Sequence, residues 1–97
     1  MKQNKQTGID RAGVSEKFQT FERKKSSFIL EANFLQIQGE YTEAAGCFAN
    51  AAKIEEQLAT QLFAMNKLQK AVIHQVSALS CWVQAGNLHN AVNHRNR

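Results

Sequence analysis

The sequence predicts an all-α protein, and three observations predict it. Its 97 residues contain no proline and only 5 glycines. Ala, Leu, Gln, Glu and Lys, which all favour helix, are frequent. No window shows the alternation of apolar and polar residues that marks a half-buried strand. The length suits one small domain with a modest core. Residues 1–12 read as a disordered basic arm, and residues 13–97 as a single helical domain.

Each element has its own signal. Val14, Phe18, Phe21, Phe28, Ala32 and Leu35 share one stripe at helical spacing, interrupted by Lys25. They predict a helix over about residues 15–38, with Ser15 or Asp10 as its N-cap. Lys24-Lys25-Ser26-Ser27 marks the place where that helix would break if it were two. Gly39 supplies the left-handed residue that closes it. The second helix starts near Thr42, a candidate N-cap, and Glu43 complements its dipole. Ala44, Phe48 and Ala51 fall on one face of it, four and three apart. Two of these are alanines, so another helix can approach closely while Phe48 fills the gap.

The end of that helix is harder to place. From Cys47 to Ala85 there is neither glycine nor proline. The stripe Leu58, Leu62, Met65, Val72, Val76, Leu79 and Val83 continues without interruption. Ordinary globular helices are much shorter, so a break is expected near Thr60 or Asn66. Asn66 and Gln69 have the N-cap and N3 residue types of a capping box. The next helix should stop at Ala85-Gly86, with Gly86 repeating the role of Gly39. A short last helix would run from Leu88 to about Arg95.

Gly39-Glu40-Tyr41-Thr42-Glu43-Ala44-Ala45 parallels Gly86-Asn87-Leu88-His89-Asn90-Ala91-Val92. Each Gly is followed two residues later by a large apolar residue and five later by Ala. A repeat of this size is one helical hairpin. On these residues the chain resembles the tetratricopeptide-repeat family, and the related helical solenoid of the soluble attachment proteins of vesicle fusion. The match is best over residues 27–54. Phe28, Ala32 and Leu35 take the large, small and large positions of that family's first helix. Ala44, Phe48 and Ala51 take the small, large and small positions of its second. Glu31, Glu56, Leu79 and Arg95 depart from the pattern. The resemblance implies antiparallel helical hairpins, forming a tetratricopeptide-like bundle or short solenoid. It also implies a non-enzymatic module that presents a groove to a peptide or helix of a partner. Asn33, Gln36 and Asn50 are the candidate partner-binding residues. With so few hairpins, a homo-oligomer is a further expectation.

Charge points to a second function class. The formal net charge is +4, and it is uneven. Residues 1–25 hold seven Lys/Arg against three Asp/Glu, whereas residues 26–94 hold three Lys against five Glu. The basic N-terminal stretch, with Lys2, Lys5, Arg11, Lys17, Arg23, Lys24 and Lys25, is therefore the alternative: it would bind nucleic acid or an anionic surface. The acidic balance of the body offers no basic face for nucleic acid.

Enzymatic chemistry finds little purchase. His74, His89 and His94 do not fall three or four residues from one another or from Cys47 and Cys81, as helical metal pairs do. No phosphate loop, nucleophile elbow or glycine cluster is present. The pattern implies no cofactor, metal or catalytic residue, and the chain reads as no enzyme. Glu55 and Glu56 read as solvated charges, and Trp82 as a residue closing a core. Two widely spaced cysteines form no disulfide framework. No apolar run would span a bilayer, and residues 1–8 lack the apolar core of a signal peptide, so the expected location is cytoplasmic.

Overall fold

The computed structural model describes residues 2–95, with side-chain surroundings described from Glu16 to Val92. The protein is all-α. Helix α1 spans Lys2–Ile37, α2 spans Tyr41–Ala64 and α3 spans Leu68–Arg95. Asp10 and Ser15 both lie inside α1, so neither is its N-cap, and the expected start near residue 15 is corrected. α1 begins at Lys2, where composition suggests an arm. Its early Lys, Gln and Arg propagate helix well, with Gly8 and Gly13 the weak points. α1 also passes through Lys24–Ser27 without a break.

The two turns share one geometry. At the end of α1, the Glu40 N–H donates to the Leu35 carbonyl at 2.9 Å and the Gly39 N–H to Gln36 at 3.0 Å. At the end of α2, the Lys67 N–H donates to the Leu62 carbonyl at 2.8 Å and the Asn66 N–H to Phe63 at 3.0 Å. Both are Schellman closures, each pivoting on one left-handed residue. That residue is Gly39 at φ 82° in the first and Asn66 at φ 62° in the second. Asn is the non-glycine residue that best tolerates this conformation. Asn66 therefore ends α2 and does not cap α3 in the way a capping box would require. Thr60 stays within α2, its hydroxyl donating to the Glu56 carbonyl at 3.0 Å. Thr42 is not the N-cap either: α2 starts after Glu40, which makes no side-chain capping bond.

Gly86 is not a turn. α3 runs through it to Arg95, so the expected stop at Ala85-Gly86 and the separate last helix are both corrected. A mid-helix glycine costs roughly 1 kcal/mol relative to Ala. Ala85 and Leu88, each 5% exposed, pack beside it on Ala44, Ala45 and Phe48 and hold the helix in register.

The helices run up, down and up, with α2 in the middle packed on both neighbours. The Cα extents are 66 × 23 × 12 Å. Helices pack about 8–10 Å apart, so a width of 23 Å fits three side by side in a curved layer. A closed bundle would be narrower. Burial follows from this. α2 buries Ala44, Ala45, Phe48, Ala51, Ala52, Ile54, Glu55, Leu58, Ala59 and Leu62. Leu58 is fully buried, which stabilises the fold by about 2 kcal/mol. α1 contributes Ala32, with Leu35 partly buried beside its cluster, and Phe28 and Ile29 packed against Ala51, Ala52 and Cys81. α3 contributes Ala71, Ala78, Cys81, Ala85 and Leu88.

The apolar stripe expected to run unbroken from Leu58 to Val83 divides at the turn. Leu58 and Leu62 are buried, while Val72, Val76, Leu79 and Val83 are exposed. α3 turns Ala71, Ala78, Cys81, Ala85 and Leu88 toward α2 and Val72, Val76, Leu79 and Val83 away. Among the described residues, no helix is long and apolar enough to cross a membrane.

Candidate interaction surfaces and the polar junction

Two charges interrupt otherwise apolar stripes, and the fold brings them together. Lys25 breaks the stripe of α1. Glu55 breaks that of α2, falling in phase between Ala51 and Leu58. The Lys25 ammonium lies 3.6 Å from Glu55 Oε1 and 3.3 Å from Glu22 Oε1. His74 of α3 completes the junction, its Nδ1–H donating to Glu55 Oε1 at 2.7 Å. His74 Nε2 stands 4.0 Å from Glu22 Oε1, and the Phe18 ring meets the imidazole edge-on with centroids 6.0 Å apart. Glu55 is 3% exposed, which corrects its reading as a solvated charge. A buried carboxylate needs a partner, and here α1 and α3 each supply one to Glu55 of α2.

Glu22, Glu55 and His74 are also the described residues best placed to hold a metal, since their ligand atoms all lie within 4.8 Å of one another. Lys25 already supplies positive charge at both carboxylates. The arrangement is thus a satisfied ion-pair junction, and among the described residues no buried side-chain polar atom lacks a partner.

A groove of about 610 Å³ opens between α1 and α2. Phe21, Phe28 and Ile54 form its apolar floor, while Arg23, Lys24 and Lys53 stand at its rim. Thr20, Ser27, Asn50 and Gln57 complete the lining, and no acidic residue belongs to it. Asn50 is therefore a groove residue. Asn33 and Gln36 are exposed on α1 outside the lining. Asn33 is eleven residues from Glu22, and Gln36 eleven from Lys25. That is close to three full turns, so both lie on the junction side of α1. The structure does not bring the three candidates into one site. The groove's cations were visible in the sequence only as part of a general basic excess. Lys53 meets Arg23 and Lys24 only once α2 folds back on α1.

The third surface is the outer edge of α3, where Val72, Val76, Leu79 and Val83 are 49–64% exposed. Trp82 borders it at 37% exposure, with its indole N–H donating to Glu56 Oε2 at 3.0 Å. This corrects the expectation that Trp82 closes a core. The opposite edge of the layer also carries exposed apolar residues, Leu30, Phe34 and Ile37 of α1.

Both cysteines are free thiols. Burial pushes the Cys47 thiol up, and the charges of Glu31 and Glu43 push it further. Burial also raises Cys81, with Glu55 adding to the shift and Lys25 opposing it. Each is thereby held in the weakly nucleophilic protonated form.

The chain matches no protein-family model, no curated protein and no solved structure.

Proposed function

We propose that this protein is a non-enzymatic helical interaction module that receives an acidic, amphipathic segment of a partner protein in the α1–α2 groove. One observation carries the reading: an apolar floor of Phe21, Phe28 and Ile54 beneath a rim of Arg23, Lys24 and Lys53 with no acidic residue. An amphipathic helix or strand would lay its apolar side chains on the floor and its carboxylates against the rim. The resemblance of residues 27–54 to a tetratricopeptide hairpin supports the same reading, and Ala32 shares a buried cluster with Ala44, Ala45 and Phe48. The raised thiols of Cys47 and Cys81 favour a non-catalytic role. Two free cysteines suit a reducing compartment such as the cytoplasm.

The test is fluorescence anisotropy with synthetic peptides. An acidic amphipathic peptide should bind, and salt should weaken it. A charge-reversed peptide should not bind, and Lys24→Glu/Lys53→Glu should abolish binding of the acidic one. Equal binding of both peptides, or of neither, would overturn the proposal. Generic duplex DNA and anionic vesicles belong in the same assay. Binding to those that disappears on deleting residues 1–12 would support the basic-arm reading instead.

A further inference from the structure

We infer that the outer edge of α3 is a self-recognition surface, on which a second copy of this chain packs its own α3 antiparallel about a two-fold axis. The surface is separate from the α1–α2 groove, so the inference does not depend on what the groove binds.

Three features identify the occupant. The first is spacing. Val72, Val76, Leu79 and Val83 are separated by four, three and four residues, which reads the same in both directions. An antiparallel copy sets Val72 against Val83 of the partner subunit and Val76 against Leu79 of the partner subunit, with no layer unmatched. These are a and d positions of a heptad, and their side chains are 49%, 56%, 64% and 60% exposed in chain order.

The second feature is charge. From Ala71 to Val92, α3 contains no Asp, Glu, Lys or Arg. A charged partner finds nothing to pair with along this edge, whereas an identical edge meets no like-charge repulsion. The third feature sets direction. Parallel pairing would align the two helix dipoles, whereas antiparallel pairing opposes them. The result is an isologous contact that closes at two subunits.

The four layers span about 16 Å along the helix. That is short compared with a standard stable interface, so the pairing is reversible and concentration-dependent.

Light scattering on the full chain, from about 1 μM to about 1 mM, tests it. The weight-average mass should rise from 10.9 kDa toward twice that value. Val76→Glu/Leu79→Glu should stay at the mass of one chain throughout, with unchanged helical circular dichroism, because both positions are exposed. Wild-type protein that remains monomeric overturns the inference, as does a double variant that still dimerises. Disulfide trapping in a Cys47→Ser/Cys81→Ala background reads the direction. Val72→Cys/Val83→Cys should form a covalent dimer on oxidation, and Val72→Cys alone should not. Efficient trapping by Val72→Cys alone would show parallel pairing and overturn the antiparallel arrangement.

Discussion

α2 and α3 are both long helices rich in apolar residues, yet they use those residues in opposite ways. α2 has a neighbour on each side and buries Phe48, Ile54, Leu58 and Leu62. α3 has a neighbour on one side only. It presents Ala71, Ala78, Cys81 and Ala85 to α2 and leaves Val72, Ile73, Val76, Leu79 and Val83 at 49–64% exposure. Small residues win the inner face because they let two helix backbones approach, which gains contact along the whole length of both. The large residues then face a position that no helix of the layer fills. Hydrophobicity identifies a face but does not say whether the fold or a partner covers it.

Substitutions can break or sharpen this contrast, and the largest effect belongs to the middle of α2. Leu58→Ala should lower the unfolding free energy by about 2–5 kcal/mol in urea titrations, because no exposed surface lets the site relax cheaply. Lys25→Met should cost about 3 kcal/mol, since it leaves Glu55 buried with only His74 to pair it. If the junction were an ordinary surface pair, the loss would be below about 1 kcal/mol.

Two glycines, one in a turn and one inside a helix, give intermediate effects of opposite sign. Gly39→Ala forces a Cβ into a left-handed conformation and should cost about 1–2 kcal/mol. Gly86→Ala lies within α3, where an added Cβ meets nothing within 4 Å, and should stabilise by about 0.5–1 kcal/mol. A destabilised Gly86→Ala would restore the turn at Gly86 that the sequence suggests.

The smallest effect concerns the thiols. Burial raises both folded pKa values above that of an ordinary cysteine thiol. The folded state therefore holds these protons more tightly than the unfolded state does. Their contribution to stability is complete below pH 9 and is lost as pH rises through the folded values. Alkylation followed against pH should show both cysteines reacting more slowly in folded than in denatured protein. Equal rates would mean that neither thiol is shielded.

Much of the fold was legible in the sequence. The helical class, the close of α1 at Gly39 and the Ala44/Phe48/Ala51 packing face were all readable, because each rests on local preference or on spacing within one turn. The parallel between Gly39 and Gly86 misled. Glycine permits a left-handed turn without requiring one, and Asn66 performs that role 27 positions after Gly39. The break at Asn66 was one of the two the sequence offered, but the different facing of the stripe on its two sides was hidden for a related reason. Two helices facing different directions can share one continuous apolar pattern across a tight turn.

The polar junction was half visible. Lys25 stood out as an interruption in α1, and Glu55 sits in phase with Ala44, Phe48, Ala51, Leu58 and Leu62. A charge in phase with a core stripe signals a buried partner. That signal lay in the spacing. What the spacing could not show was that Lys25 of α1 and His74 of α3 would be the partners, because that depends on how the three helices align. The rim of the groove was illegible for the same reason.

The most direct test of the contrast between α2 and α3 is urea unfolding of Val76→Gln/Leu79→Gln beside Leu58→Ala, at concentrations where the chain is monomeric. The account predicts that the α3 pair changes stability by no more than about 0.5 kcal/mol per site, while Leu58→Ala loses several times as much. A loss of 2 kcal/mol or more per site on α3, comparable to a large-to-small core substitution, would place those residues in the core and contradict it.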